Sequence, residues 1–153
     1  MKVLLVCSSG GHFKALQQLM PFWSQHDRRW VTFDTATTAA YCEESKESVI
    51  WAHSPTNRNI PNLLRNLVLS VQVLREYRPD VIMTTGAGVA VPFLILGKLF
   101  GCQTVFVESV TRVTSLSLSA RLVLPFLSVL YVHWQQLVTL YPKAELIMSP
   151  ETP

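Results

Sequence analysis

The chain has 153 residues, of which 49% are hydrophobic and only 15% charged, and it carries a net charge of +3. That length suits one ordinary domain over residues 1–153 and leaves no room for a second of comparable size. The charged fraction is low against the roughly one quarter usual in soluble chains, so part of the apolar surface is expected to meet a partner or a membrane, whereas nucleic acid is not expected: the basic excess is mild and no aromatic-basic module appears.

Lys2–Cys7 is a continuous β run that turns into Ser8-Ser9-Gly10-Gly11-His12 too early for a signal peptide, and it reads as a first strand. A helix is expected over residues 12–23, a second strand over 30–34, a helix over 37–45 and a short third strand over 48–51. Residues 54–61, with two prolines and two asparagines, form a loop. Leu63, Leu64, Leu67, Val68, Val71 and Leu74 then recur at helical spacing, which predicts an amphipathic helix over 62–77 with its arginines on the side opposite that stripe. A strand follows at 81–85. After Gly86-Ala87-Gly88 comes an apolar helix over 89–100, with Pro92 in its first turn and Gly101 as its stop.

Residues 103–107 read as another strand. Beyond them lie a Ser/Thr-rich stretch (109–119), an apolar run to Val132, a helix over 134–141 and a last strand over 144–148. Strands alternating with helices predict an α/β fold: a Rossmann-like parallel sheet with helices on both faces. No run reaches the roughly 20 apolar residues of a spanning helix, and the nearest, 122–132, is broken by Pro125, so the chain is expected to lie on a membrane without crossing it. Cys7, Cys42 and Cys102 form an odd set without C-x-x-C spacing, two of them inside strand-like runs, which suits a reducing cytoplasm.

Charge is placed unevenly. Residues 1–50 hold five basic and five acidic side chains, against eight and five in 51–153. Arg58, Arg65, Arg75 and Arg78 gather around the helix at 62–77, where they suit anionic headgroups or phosphates, or simply form a solvated face.

Three places suit chemistry. In the turn at 8–12, Gly10 and Gly11 free the backbone to approach a ligand, and the N–H groups of the helix start offer an anion site, with Ser9 beside them. The same glycines also permit a merely structural βα turn. His12 falls at the helix start, where the positive dipole end favours the neutral imidazole that a general base needs; capping the helix is the other reading. Nothing by spacing pairs it with a second His, Cys or carboxylate, so no metal and no cofactor are expected. The second place is Thr84-Thr85-Gly86-Ala87-Gly88, another glycine-rich βα turn, which faces the same crevice at the carboxyl edge of the sheet. The third is Glu108-Ser109 with Arg112, where Glu108 either serves sugar hydroxyls and proton transfer or pairs with Arg112.

A dinucleotide site is a further reading, with Asp34 standing where a ribose-binding acid falls. The fingerprint G-x-G-x-x-G is absent, since Phe13 and Lys14 follow His12.

Taken in order, Ser-Ser-Gly-Gly-His, Thr-Thr-Gly-Ala-Gly-Val-Ala-Val-Pro-Phe, Val-Glu-Ser-Val-Thr-Arg-Val, His-Trp-Gln-Gln-Leu and Tyr-Pro-Lys-Ala resemble the Alg-fourteen-like oligosaccharide biosynthesis family, over nearly the whole chain from Val3 to Ala144. The resemblance implies a domain equivalent to the N-terminal half of a GT-B glycosyltransferase. It also implies a partner, a small donor-binding subunit that holds the UDP-sugar, and a lipid-linked saccharide acceptor presented at the cytoplasmic face of the cell membrane. By the same resemblance Gly10, Gly11 and His12 stand near the acceptor's diphosphate and Gly86 and Gly88 form the second turn; joined to the reading of the residues, this makes His12 and Glu108 the expected catalytic groups and Ser9, Gly10, Gly11, Thr85, Gly86, Gly88, Ser109 and Arg112 the expected acceptor- and phosphate-binding ones. A non-catalytic membrane recruiter is the alternative.

The chain departs from the family pattern in three late places. Ser119-Ala120 stands for Thr-Gly before the late helix, His133 for Gln before Trp, and Met148-Ser149 for a glycine after the last strand. An N-terminal membrane anchor like that of the eukaryotic subunit is not expected from these residues, and membrane association is expected to rest on apolar helices and basic patches.

Overall fold

From Leu4 to Cys7 the first strand, β1 (Lys2–Cys7), is wholly inaccessible, so its side chains are packed on both faces of the sheet, as a central parallel strand requires. A computed structural model describes residues 1–147; Met148 and Ser149, and with them the end of the strand expected at 144–148, lie outside the described residues. After β1 the chain forms α1 (Gly11–Gln18), α2 (Met20–Trp23), β2 (Asp27–Phe33), α3 (Ala36–Glu44), β3 (Val49–Ala52), α4 (Ile60–Tyr77), β4 (Val81–Gly86) and α5 (Ala90–Leu99). There follow β5 (Gln103–Val107), α6 (Leu118–Val123), a single 3-10 turn at Leu124–Phe126, β6 (Val129–Val132), α7 (Gln135–Leu140) and β7 (Ala144–Leu146).

All seven strands run parallel, in the order β3-β2-β1-β4-β5-β6-β7. The chain builds outward from β1 to β3, returns through α4, and builds the other way from β4. This reversal opens a crevice at the carboxyl ends of β1 and β4, where open α/β sheets bind ligands.

Alternation along β1 divides the core in two. Leu4 and Val6 join the cluster made with Val73, Leu74 and Tyr77 of α4, Phe93 and Leu94 of α5, Ala120 and Val123 of α6 and Leu137 of α7. Val3, Leu5 and Cys7 face the other side, against Phe13 and Leu16 of α1, Trp23 of α2 and Trp30. Helices thus cover both faces. Trp23 and Trp30 meet edge to face with ring centroids 5.5 Å apart, and each contributes about 1.5–3 kcal/mol or more by burial alone.

The expected elements are present, with three corrections. The helix expected over residues 12–23 divides at Leu19, because Pro21 has no N–H to give to the helix before it and instead occupies the second position of α2. The apolar run before Val132 resolves into α6, the 3-10 turn and β6, so Ser119 and Ala120 lie inside α6 rather than before it, with Ser117 capping the Ala120 N–H.

The third correction concerns α4. The expected buried stripe is inverted over its first half: Asn62, Asn66 and Ser70 are buried, while Leu63, Leu64, Leu67 and Val68 stand 40–59% exposed. The reason is a loop that needs polar partners. Asn66 accepts from the His53 N–H and donates to its carbonyl, and Asn62 donates to the Pro55 carbonyl, so the segment before α4 is tied down by side chains from its inner face. Backbone groups drawn partly out of water lose free energy when left unpaired, and these three bonds offset that loss.

Candidate functional site

Gly10 stands at φ +79° before α1, a backbone shape L side chains rarely adopt, and a Cβ there would meet nothing within 4 Å. No side chain caps α1. The first backbone bond of the helix runs from the Lys14 N–H to the Gly10 carbonyl, and the N–H groups of Gly11, His12 and Phe13 have no acceptor among the described residues. Three donors thus stand open at the positive end of an eight-residue helix, at the switch point of the sheet, an arrangement that suits an anion.

The second glycine turn shapes the first. In β4 the pairing with β1 slips between Val6 and Cys7, so that Cys7 pairs with Gly86 and Thr85 bulges out of register. The bulge turns Thr85 toward α1: the His12 ring lies with Nδ1 3.0 Å from the Thr85 carbonyl, and the Thr85 hydroxyl donates to the His12 carbonyl at 2.6 Å. A carbonyl only accepts, so Nδ1 carries the proton, and in the neutral ring Nε2 keeps its lone pair. Nε2 has no partner in the described residues, and His12 is half-buried.

Gly86 is shaped for this ring. Its φ is +126°, and a Cβ there would fall 3.0 Å from His12 Cε1 and 3.2 Å from Nδ1. Ala87 follows, also at positive φ (83°). Unlike the start of α1, the start of α5 is already closed: Ala90 N–H bonds the Ala87 carbonyl and Val91 N–H the Gly88 carbonyl. The two turns therefore differ: the first N–H groups of α5 are taken by its own entry turn, while those of α1 are open.

Glu108 is buried, 3% exposed, and its two carboxylate oxygens accept from the N–H groups of Ser109 (2.9 Å) and Ser117 (2.8 Å). No ion pair with Arg112 forms. Glu108 ties the loop over 109–117 to the end of β5, with one backbone N–H on each carboxylate oxygen, an arrangement that suits a positioning role. Ser109 turns its hydroxyl to Thr111 at 2.9 Å, its carbonyl accepts from the Arg112 N–H, and the Arg112 side chain is exposed at the rim. Asp34 is exposed at the end of β2, beside Thr35, whose hydroxyl caps α3.

Three features escaped sequence reading. The loop over 53–59 reaches the same edge, with Thr56 Oγ1 3.5 Å from where a Cβ on Gly88 would stand; Asn62 and Asn66 at four-residue spacing were its signal. Trp134, from the His-Trp-Gln-Gln block, donates through Nε1 to the Val110 carbonyl at 2.7 Å and joins α7 to the 109–117 loop. Lys143 of the Tyr-Pro-Lys-Ala block closes the carbonyls of Leu124, Pro125 and Leu127. Among the described residues no group of three or more His, Cys, Asp or Glu side chains gathers to hold a metal ion.

Comparison with known proteins agrees with this architecture. The chain is similar to the subunit named UDP-N-acetylglucosamine transferase subunit ALG14 in Candida albicans, 30% identical over 162 residues that span 92% of this chain and 74% of that one. In three dimensions it resembles MurG of Acinetobacter baumannii (TM-score 0.64, 14% identity, 86% of this chain and 40% of that one) and a UDP-GlcNAc 2-epimerase of Methanocaldococcus jannaschii (TM-score 0.72, 14% identity, 96% and 45%). The chain spans about half the length of these two structures, so the likeness is to one Rossmann-like half of each, and at such identities it speaks for the fold alone. The model of the family described as "Oligosaccharide biosynthesis protein Alg14 like" matches residues 3–149, and the chain belongs to that family.

Proposed function

We propose that this chain is the acceptor-binding subunit of a two-chain glycosyltransferase that moves a sugar from a UDP donor to a lipid-linked saccharide. The single observation that carries the reading is the open N–H cradle of Gly11, His12 and Phe13, with the unpartnered Nε2 of His12 beside it. A diphosphate on the acceptor suits the cradle by charge and by its need for several donors at once. Ser9 and the 53–59 loop flank it, and Arg112 adds a cation at the rim.

In the reaction, an acceptor hydroxyl attacks the anomeric carbon of the UDP-sugar; the new C–O bond forms as the bond to the UDP oxygen breaks. The hydroxyl proton passes to His12 Nε2, and UDP leaves with the bonding electron pair, giving inversion at the carbon. The Thr85 carbonyl supports the charge that His12 then carries, through its bond to Nδ1–H. The donor is held by a separate, smaller chain, as the family resemblance and the subunit names of relatives suggest. Three buried free cysteines suit a cytoplasmic setting at the inner membrane face.

The assembled pair is expected to transfer N-acetylglucosamine or another UDP-borne sugar to a lipid-linked acceptor, and this chain alone none. Transfer by the isolated chain would sink the two-chain reading. His12→Ala separates catalysis from recruitment: a large fall in turnover with the complex intact supports the proposal, while unchanged turnover leaves the chain a recruiter of its partner.

A further inference from the structure

Thr84 lies wholly buried near the end of β4, paired with Val6 of β1 on one side and Phe106 of β5 on the other. A hydroxyl between two apolar partners in a central strand costs free energy unless it is bonded, and valine has nearly its shape without that cost. The hydroxyl is fully engaged, and with one residue. Its Oγ1 accepts from the Gly86 N–H at 3.0 Å and donates to the Gly86 carbonyl at 3.4 Å. A threonine that grips the backbone two residues on competes with the strand ladder and favours a turn.

The ladder breaks at that place. β4 pairs with β5 as far as Thr84, and with β1 it slips just beyond, so that Thr85 is passed over and Gly86 meets Cys7. Thr84 Oγ1 therefore spans the bulge from its first residue to its last. The grip has a direction. The Thr85 carbonyl and the Gly86 N–H belong to one planar trans peptide and point opposite ways, so a partner that fixes the N–H also fixes the carbonyl. The N–H turns to Thr84 at 3.0 Å, and the carbonyl turns the other way, to His12 Nδ1 at 3.0 Å. Gly86 itself, at φ +126°, leaves the ring its place: a Cβ there would stand 3.0 Å from His12 Cε1 and 3.6 Å from Phe106 Cζ.

We infer that Thr84 is a positioning residue for the transfer: by holding the Gly86 N–H it aims the Thr85 carbonyl at His12, which keeps the ring's proton on Nδ1 and its lone pair on Nε2. Freed from that grip, the peptide plane can rotate, and a neutral ring then carries its proton on either nitrogen. A ring protonated on Nε2 cannot take the acceptor's proton there. The effect on transfer rests on the reading of His12 as the base given above; the effect on the ring does not.

The test is nitrogen NMR of the full chain labelled at histidine, at alkaline pH where imidazoles are neutral, with the His12 signals known by their loss in His12→Gln. Wild type is expected to show Nδ1 protonated and Nε2 bare. Thr84→Val keeps the β-branched shape and loses the hydroxyl. It is expected to show the Nε2-protonated ring as a major form, and turnover of the assembled pair is expected to fall about 100-fold with KM for the acceptor little changed. Thr84→Ser, which keeps the hydroxyl, is expected to restore both. A wild-type ring protonated on Nε2 overturns the positioning role without any variant, and so does the wild-type tautomer in Thr84→Val, whatever its turnover. Thr84→Ala is read the same way if the valine variant fails to fold. A shifted tautomer with unchanged turnover upholds the positioning of the ring and counts against His12 as the base.

Discussion

Two glycine turns that look alike in the sequence, Ser8–His12 and Thr84–Gly88, do different work in the folded chain. At the first, Gly10 stands in open space and the helix after it begins with unpaired donors. At the second, Gly86 is crowded by the His12 ring and the helix after it is closed on its own carbonyls. The first turn leaves donors open. The second supports it, holding His12 by two reciprocal hydrogen bonds with Thr85 and by the missing Cβ at Gly86.

The strongest way to break this contrast is at His12. His12→Ala is expected to lower turnover of the assembled pair by about 100- to 10,000-fold, the range for a lost general base. His12→Gln keeps an N–H for the Thr85 carbonyl but no basic nitrogen, so it should fall as far; recovery in this variant would make His12 a binder of diphosphate instead.

Next comes Gly86→Ala. The new methyl meets Cε1 of His12 at 3.0 Å on a backbone at φ +126°, so the ring must move. A displaced catalytic group costs about 100-fold in rate, read as a fall in turnover with acceptor binding less affected. Gly10→Ala sharpens the comparison, because it imposes backbone strain with no collision: about 1–2 kcal/mol of stability is lost in a denaturant titration, and turnover falls much less than with Gly86→Ala. If the two alanines behave alike, the two turns are not distinct in kind.

Glu108→Ala is expected to cost about 1–3 kcal/mol, because two buried N–H groups lose their acceptor. The conservative Glu108→Gln, which keeps an acceptor oxygen, should recover much of both stability and turnover; a collapse of turnover in a well-folded Glu108→Gln would restore the catalytic role.

The smallest effect lies at Cys7, paired with Gly86 between the two turns. Burial raises its thiol from 9.0 to about 12, and burial of Cys42 raises that thiol to about 11. The unfolded chain ionises its thiols first, so their contribution to stability is complete below the ordinary thiol value and is lost as pH rises through 9 toward 12. Cys7→Ala should therefore flatten the alkaline loss by at most about 1.4 kcal/mol per pH unit, measured by urea unfolding. Identical slopes would show that Cys7 does not govern it.

Much of the fold is legible in the chain itself, because strands and helices carry their own periods. Lys2–Cys7 and Gln103–Val107 read at their observed bounds, and the alternation of elements requires a parallel sheet. The glycine turns are legible too, since a sharp βα turn needs residues that adopt positive φ. Less legible are roles that depend on distant partners. Glu108 reads as a carboxylate at a strand end, and only the folded chain shows it accepting from the N–H groups of Ser109 and Ser117; the second turn reads like the first, and only the folded chain sets its Gly86 against the His12 ring.

What the sequence determined by itself was the parallel sheet, the succession of its elements along the chain and the two glycine turns at strand ends, all consequences of local period and turn chemistry. What only the tertiary structure decided was which side of α4 faces inward. Its leucines repeat as a core stripe would, yet Asn62 and Asn66 take the inner face, because from there their side chains pair with the part-buried backbone groups of His53 and Pro55. Periodicity records that a helix has two faces; the hydrogen-bonding demand of the neighbouring loop chooses between them, and here it leaves the apolar face outside.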